Sequence, residues 1–251
     1  MSIESQLQAL SGAMPPGLSE GVALGTGLAD GYDFYESAIG EVIVTFNPAG
    51  VSSLDIADGF EDRYRQRRGR PLIRAEAPSA WRGHIPEAIE RGTPGRLPVD
   101  LRSVTDFQRQ VLVTTATIPK GEVRPYGWVA REVHRPKAVR AVGSAVARNP
   151  IPLIIPCHRV VRTDGHIGNY SLGGPHNKID LLEHEGASPD WLEDLASQHV
   201  RVRGNATTAV YCHPTCHVVR SASTREVVDF HSATEADEAG FEPCEVCRPV
   251  G

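Results

Sequence analysis

The sequence predicts an α/β region, then a mainly α-helical region with a helix-turn-helix, and a small four-cysteine domain at the C-terminus. Before residue 100, runs of β-branched and aromatic residues alternate with turn signals. Between residues 105 and 149, apolar residues recur at helical spacing. After residue 200, the cysteines follow the pattern C-x3-C, 27 residues, C-x2-C. The expected divisions are a flexible tail at 1–30, domains at 31–100, 101–187 and 200–251, and a linker at 188–199.

The α/β region contains short elements with recognisable local signals. Between Tyr32 and Ile56, two β-branched runs predict strands, and Asn47-Pro48-Ala49-Gly50 predicts the hairpin turn that joins them. Residues 60–70 have the polar composition of a solvent-exposed helix, and residues 78–92 predict one further short helix.

Three helices are predicted in the middle region. The first begins at a Thr105-Asp106 cap and continues towards Ile118. Residues 126–133 and 137–149 then form two short helices around a tight turn, which is the pattern of a helix-turn-helix. The second of them has small residues along one side: Ala138, Ala141, Gly143, Ser144 and Ala145. Such a face permits close approach of another protein element, which spacing alone favours, or of a DNA groove.

The composition is that of an ordinary globular protein. The chain has 251 residues, of which 40% are hydrophobic and 23% are charged. It contains no run of about 18 apolar residues, the length that a membrane span requires. The N-terminus has no basic stretch followed by an apolar core, as a secretory signal requires. The sequence therefore predicts a cytoplasmic protein with no membrane partner.

Charge is distributed unevenly along the chain. The formal net charge is −5, but residues 101–187 carry 12 basic and 7 acidic groups. The regions on either side, 1–100 and 188–251, each have a net charge of −5. Because local charge decides where phosphates bind, the middle region is the one that favours a nucleic-acid partner.

Cys157 stands apart from the other cysteines, in an apolar segment interrupted by prolines that we expect to be extended and buried. A thiol needs a base or a positive environment to act as a nucleophile near neutral pH. His158 is adjacent, but neighbouring side chains of an extended segment point to opposite faces, so contact requires a water or a local bend. The residues by themselves leave two interpretations open, a Cys-His-Glu relay ending at Glu185 and a buried structural cysteine.

The remaining four cysteines have the spacing of a zinc site rather than of a disulfide framework. They are Cys212, Cys216, Cys244 and Cys247. A site made of four cysteine thiolates is closed, as expected for structural Zn²⁺. In a segment of about 50 residues, the metal would supply much of the folding energy.

The middle region resembles the O6-alkylguanine-DNA alkyltransferase family, the methylated-DNA–protein-cysteine methyltransferases. Between Phe107 and Gly186 the family's motifs follow in order and spacing: FQRQVL, IPKGEVRPYG, KAVRAVG, IPCHRVV, GNYSLGG and LLEHEG. The resemblance implies a suicide DNA-repair enzyme that moves a methyl or small alkyl group from O6 of guanine, or from O4 of thymine, to Cys157. From its position in the chain, it also implies that residues 31–100 form the family's ribonuclease-H-like domain.

The resemblance implies a role for each of five residues. Cys157 is the nucleophile, His158 accepts its proton through a water, and Glu185 orients His158. Tyr126 donates a hydrogen bond or a proton to the departing guanine, and Asn149 ties the active-site turn to the base-binding segment. Alkyl transfer itself needs no cofactor.

The implied partner is double-stranded DNA carrying an alkylated guanine, bound by a monomer. The target base must leave the stack, and Arg140 matches the family's arginine that fills the vacated space. The helix with the small-residue side then lies in the minor groove, which explains its lack of bulk. Tyr170 and Ser171 contact the flipped base.

The C-terminal region resembles the zinc-binding domain of the bacterial adaptive-response protein Ada. The four cysteines match its thiolate ligands, and Cys212 matches the ligand that accepts a methyl group from a phosphotriester. His213, His217 and Val219 stand where that domain favours arginine, and the acidic charge of residues 188–251 disfavours phosphate contact. We therefore expect a zinc-stabilised module that binds DNA or protein, with phosphotriester repair as the lesser alternative and no transcriptional control.

Two other functions compete with alkyl transfer. A non-catalytic protein that binds alkylated DNA and recruits other repair factors has no need of Cys157, and relatives of that kind lack the cysteine. A cysteine hydrolase using Cys157 and His158 requires turnover and an oxyanion hole, and the helix-turn-helix explains neither.

Overall fold

The computed structural model describes residues 18–249, beginning with a four-stranded mixed sheet. Its strands are β1 (Asp30–Tyr35), β2 (Val42–Asn47), β3 (Gly50–Ile56) and β4 (Leu72–Arg74). Their order is β3-β2-β1-β4, with β1 parallel to β4 and the other pairs antiparallel. The predicted hairpin turn joins β2 to β3, where Asn47 pairs with Gly50.

Four helices accompany this sheet: α1 (Leu18–Thr26), α2 (Phe60–Arg68), α3 (Ser79–Arg82) and α4 (His84–Arg91). The single helix predicted over residues 78–92 is wrong, because the chain divides at Gly83 into α3 and α4. The flexible tail predicted to residue 30 also needs correction. Residues 18–26 are helical and Ala29 and Asp30 are buried, while residues 1–17 of that tail lie outside the described part of the chain.

The middle of the chain is helical, as expected. Its helices are α5 (Asp106–Thr115), α6 (Tyr126–Glu132), α7 (Val139–Ala147) and α8 (Pro175–His184). The predicted cap of α5 is present, since the Thr105 side chain accepts the N–H of Gln108 and the Gln108 side chain accepts the N–H of Thr105. Helix α6 ends before His134, whose φ of 56° turns the chain into the segment before α7. The two helices form the expected helix-turn-helix.

One hydrophobic core unites the sheet and the helical region. It includes Val44 and Leu54 from the sheet, Leu112 from α5, Val142 from α7 and Ile154 from the loop that follows. The expected domains at 31–100 and 101–187 therefore share buried surface. Among the residues that the structure describes, no helix is both long and apolar enough to cross a membrane.

The expectation of an extended segment at Cys157 is wrong. Residues Cys157–Arg159 form a single 3-10 turn, with Leu153 in the left-handed region at a φ of 68°. Directly after the turn, β6 (Val160–Val161) pairs in parallel with β5 (Arg124–Pro125). This pairing sets the turn beside the residues that lead into α6.

The C-terminal region begins with α9 (Pro189–Ser197) and contains a second sheet. That sheet has the order β10-β8-β7-β9. Its elements are β7 (Val202–Asn205), β8 (Val210–Cys212), α10 (His217–Arg220), a 3-10 turn (Thr224–Glu226), β9 (Val227–Phe230), α11 (Ala233–Glu238) and β10 (Glu242–Pro243). Residues 188–199 were predicted to be a linker, but helix α9 within them is packed against the preceding region. Its Leu192 lies in a separate apolar cluster with Val161, Ile167 and Leu182.

Candidate active site

Cys157 is held in its turn by the side chain of Asn149. The Asn149 amide nitrogen donates to the Cys157 sulfur at 3.2 Å and to the carbonyl of Ile155 at 2.8 Å. Its amide oxygen accepts the N–H of Ile151 at 3.1 Å. One buried amide thus connects the end of the helix-turn-helix to the proline-rich loop and to the thiol.

The thiol lies at the wall of a cavity of about 410 Å³, a size typical of small-molecule sites. Its lining consists of Tyr126, Val146, Ala147, Cys157, Arg162, Gly168, Asn169, Tyr170 and Ser171. Tyr126 comes from the start of α6, whereas Tyr170 and Ser171 come from the glycine-rich loop before α8. The Tyr170 hydroxyl is buried and has no hydrogen-bond partner among residues 18–249. Four of the predicted site residues therefore share one cavity.

His158 and Glu185 form a buried pair beside this cavity. Their Nε2 and Oε1 atoms are 2.9 Å apart, and the two side chains are 2% and 6% exposed. Burial lowers the pKa of His158 despite the opposing effect of Glu185, so the imidazole is neutral at pH 7. Its other nitrogen, Nδ1, is buried without a hydrogen-bond partner in the described chain. A neutral ring that donates from Nε2 has its free lone pair on Nδ1.

Arg159 also binds Glu185, as the third residue of this buried cluster. The sequence had assigned it no role. Its guanidinium donates to both Glu185 oxygens, from Nε at 2.9 Å and from Nη2 at 2.7 Å. It also donates to the carbonyls of Arg91, Gly92 and Ile118. Burial alone would raise the pKa of Glu185, but the hydrogen bonds from His158 and Arg159 lower it to about 2. Glu185 is therefore ionised, and the arginine balances its charge.

Lys178 is a second buried cation that the sequence did not single out. Its ammonium donates to the carbonyls of Val160 and Ile167, each at 2.7 Å. Burial lowers the pKa of Lys178 to about 8, and its charge is felt at Cys157. Burial raises the pKa of the Cys157 thiol, while Asn149 and Lys178 oppose that rise. The thiol is protonated at pH 7, and Asn149 and Lys178 offset part of the cost that burial imposes on the thiolate.

The small-residue side of α7 faces outward for most of its length. Ala141 and Ser144 are exposed, as is Arg140, and a Cβ built on Gly143 would meet no atom within 4 Å. Ala138 is partly buried and Ala145 is buried. Spacing alone favoured packing of these small residues against another protein element. That prediction is correct for Ala145 and wrong for Ala141, Gly143 and Ser144. The surface leaves room for close approach of a partner.

The four C-terminal cysteines converge on one point. Their sulfur atoms lie within 4.8 Å of one another, and all four residues are buried. The donor set is entirely thiol, which suits Zn²⁺, and a closed set of four leaves no position for a water ligand.

Two family models match the chain. The model described as "6-O-methylguanine DNA methyltransferase, DNA binding domain" matches residues 106–187. The model described as "Metal binding domain of Ada" matches residues 193–250. Together with the sulfur cluster, the second match supports structural Zn²⁺ in the C-terminal region, which confirms the predicted cofactor.

Relatives and solved structures agree with these matches. The chain is 37% identical over 152 residues to the methylated-DNA–protein-cysteine methyltransferase of Methanosarcina barkeri, covering 57% of this chain and 89% of that protein. It is 35% identical over 172 residues to the bifunctional transcriptional activator/DNA repair enzyme Ada of Escherichia coli, covering 66% of this chain. The chain spans about half the length of that relative, 48%. The crystal structure of Mycobacterium tuberculosis OGT in complex with DNA superposes with a TM-score of 0.52 at 32% identity, covering 64% of this chain and 98% of that one.

Proposed function

The chain belongs to the methylated-DNA–protein-cysteine methyltransferase family, and from that premise we propose that it repairs O6-alkylguanine in DNA by irreversible alkyl transfer to Cys157. The observation that carries the proposal is the placement of the Cys157 thiol. It lines a base-sized cavity and is bonded to Asn149, with the His158–Glu185 pair buried beside it. A buried structural cysteine has no need of these partners.

In the proposed reaction, the Cys157 sulfur attacks the alkyl carbon on O6 of guanine. The carbon–sulfur bond forms as the carbon–oxygen bond breaks, and the bonding electron pair stays on O6 of the departing guanine. The thiol proton passes through a water to Nδ1 of His158, which is the ring nitrogen with a free lone pair. Tyr126 donates a proton to the guanine anion and regains one from solvent, while His158 releases its additional proton to solvent. The product is a thioether on Cys157 and unmodified guanine, so each molecule acts once.

Charge around the thiol supports this sequence of events. Glu185 stabilises the imidazolium that forms on His158, and Arg159 keeps Glu185 ionised. Lys178 stabilises the thiolate. The thiol is therefore unreactive until a base removes its proton at the moment of transfer, which protects it from unspecific alkylation.

We further propose that α7 lies in the minor groove of duplex DNA and that the protein acts as a monomer. Support comes from the open surface at Gly143 and from the exposure of Arg140, whose side chain would enter the stack when the base is flipped. Tyr170 and Ser171 line the cavity that would receive the flipped base. The hydroxyl of Tyr170 is buried close to Cys157, where it would bond to that base.

Two structural proposals concern the flanking regions. The mixed sheet in the order β3-β2-β1-β4 supports a ribonuclease-H-like N-terminal domain. Zn²⁺ held by the four C-terminal thiolates would stabilise the fold there. Cys212 is 0% exposed, which supports a structural role for it and opposes attack on a DNA phosphotriester.

Mass spectrometry after incubation with duplex DNA carrying one O6-methylguanine tests the proposed function. We expect one methyl group on the peptide containing Cys157, at one equivalent per protein, and none in Cys157→Ser. Lesion-specific binding without transfer would overturn alkyl transfer in favour of a non-catalytic lesion-binding protein. Methylation of Cys212 by DNA with a methyl phosphotriester would overturn its purely structural role.

A further inference from the structure

The C-terminal domain is docked against the segment that connects two sides of the active site. This segment, residues 119–125, lies between α5 and α6, and its last two residues form β5 beside the Cys157 turn. Tyr126 follows immediately, at the start of α6. A contact that positions residues 119–125 therefore acts on the surroundings of the reacting thiol.

Gly121 in this segment connects Arg220 of the C-terminal domain to Glu185. The Arg220 guanidinium donates from Nη1 to the Gly121 carbonyl at 2.9 Å. The Gly121 N–H donates to Oε2 of Glu185 at 3.3 Å. The same Glu185 carboxylate accepts from His158 through its other oxygen. A continuous chain of hydrogen bonds thus leads from the zinc domain to the proposed base.

The backbone of Gly121 is conformationally free, so its orientation depends on hydrogen bonds to neighbouring residues. Its φ is +75°, and a Cβ there would lie 2.8 Å from the carbonyl oxygen of Glu185. Glycine has broad freedom at both backbone dihedrals, so the peptide units on its two sides rotate easily. The bond from Arg220 and the turn hydrogen bond from the Glu122 N–H to the Pro119 carbonyl, at 3.1 Å, hold the second unit, and the bond to Glu185 holds the first. Loss of the Arg220 bond leaves the second unit with the turn bond alone, so the Gly121 N–H is held less firmly against Glu185.

The neighbouring residues of the segment are bound to the same domain. The buried carboxylate of Glu122 accepts from the backbone N–H of His217 at 3.1 Å, and its Oε1 lies 2.9 Å from the His217 Nδ1. The hydroxyl of Thr215 accepts the N–H of Val123 at 2.8 Å. Since Cys216 separates Thr215 from His217, the zinc ligand and the docking contacts occupy one short stretch of chain.

Helix α6 carries a further contact. The indole N–H of Trp128 donates to the carbonyl of Cys247 at 2.9 Å, and Arg248 pairs with Glu132 at 2.6 Å. The C-terminal domain therefore touches both the segment that reaches Glu185 and the helix that begins with Tyr126.

We propose that Arg220 is a positioning residue for alkyl transfer, which makes the C-terminal domain part of the alkyltransferase site. It holds Gly121 so that its N–H fixes Glu185, and Glu185 in turn fixes His158. This inference rests on the proposed function. It concerns the rate of the chemical step, because the hydrogen bond of Arg220 leads through Gly121 to Glu185.

Single-turnover kinetics with O6-methylguanine duplex at a series of DNA concentrations test the inference. They give the limiting rate of methyl transfer and the DNA concentration at half that rate. Arg220→Met removes the donor, Arg220→Lys retains a cationic donor, and Arg225→Ala is the matched control on an exposed arginine of the same domain. Arg220 is itself exposed, so its substitution leaves the core intact. Zinc content and thermal unfolding are measured for each variant, and rates are compared at a temperature where all are folded.

We expect Arg220→Met to lower the limiting rate about 10-fold, because a misplaced catalytic group loses rate steeply with distance. The half-saturating DNA concentration and the zinc content should match wild type, Arg220→Lys should recover part of the rate, and Arg225→Ala should behave as wild type. An unchanged limiting rate in Arg220→Met, or a loss equal to that in Arg225→Ala, overturns the inference. Absence of methyl transfer in wild type would instead overturn the proposed function, and the two failures are therefore distinguishable.

Discussion

Nε2 of His158 lies 2.9 Å from Oε1 of Glu185, while Nδ1 of the same ring is buried without a partner among residues 18–249. Because an ionised carboxylate accepts only, the Nε2 atom carries the hydrogen. The lone pair on Nδ1 is then available for the Cys157 proton. This tautomer gives His158 the free lone pair that its proposed role as a base requires, and it depends on the charge of Glu185.

The rate of alkyl transfer should decline in acid only below pH 6.5. Burial lowers the pKa of His158 below its ordinary 6.5, so the imidazole stays neutral until the pH falls past that value. Once protonated, it accepts no proton and transfer slows. The measurement is the single-turnover rate of methyl transfer between pH 5 and 8. His184→Gln, at an exposed histidine, should leave the profile unchanged, and a midpoint above 6.5 in wild type would contradict the assignment.

Glu185→Gln should slow transfer by roughly 100-fold, within the range for loss of general-base assistance. Since Glu185 raises the pKa of His158, its neutral replacement should also move the acid limb of the rate profile to lower pH. Glu183→Gln, on an exposed residue of α8, is the control. An unmoved acid limb would show that Glu185 does not act on His158, and one that moves to higher pH would contradict the direction of its effect.

Gly92→Ala should destabilise the protein more than Gly95→Ala. Both glycines have positive φ, 64° and 55°, so both variants incur backbone strain of about 1 kcal/mol. A Cβ at Gly92 would also lie 2.3 Å from Nη2 of Arg159, whereas at Gly95 it would meet nothing within 4 Å. The guanidinium has no room to retreat because its carbonyl partners and Glu185 hold it.

Urea denaturation measures the difference between these two glycine variants. The additional loss in Gly92→Ala should be about 1–3 kcal/mol, typical of overpacking. Its transfer rate should also fall, since Arg159 donates to Glu185. Equal losses of stability in the two variants would show that Arg159 is not confined.

Gly143→Leu should weaken binding to duplex DNA about 10-fold, equivalent to about 1.4 kcal/mol, without loss of stability. The site is open, and replacing a helical glycine adds about 0.5–1 kcal/mol of stability. Fluorescence anisotropy with labelled duplex and thermal unfolding measure the two effects. Val113→Leu, which adds bulk to an exposed position of α5, should leave DNA affinity unchanged. Undiminished affinity in Gly143→Leu would place the DNA elsewhere.

Removal of zinc should lower the thermal stability of the C-terminal domain sharply. Structural Zn²⁺ contributes apparent binding energy on the order of 10 kcal/mol, and few other buried groups support this region. Calorimetry before and after chelation, with metal analysis, measures the change. Cys157→Ser should contain one zinc per chain and respond as wild type does. A stripped protein that unfolds at the same temperature would contradict the structural role.

Local patterns in the sequence were sufficient for much of this architecture. The helix-turn-helix was predictable because helical periodicity and turn residues lie within a few positions of one another. The zinc ligands were predictable because C-x3-C and C-x2-C are local spacings. The 3-10 turn at Cys157 was missed, since the prolines of residues 150–156 are equally compatible with an extended segment.

The sequence by itself indicated the residues of the proposed chemistry, Cys157, His158 and Glu185, through their resemblance to the family motifs, and the four zinc ligands through their local spacing. Only the tertiary structure decided what holds them. Arg159 binds carbonyls 41 and 67 positions earlier, and Arg220 binds a carbonyl 99 positions away. Such contacts arise when packing closes long loops, and neighbouring residues do not encode which distant carbonyl will face a given guanidinium. The same packing leaves most of the small residues of α7 exposed to solvent. It also brings the zinc domain into contact with residues 119–125, beside the Cys157 turn.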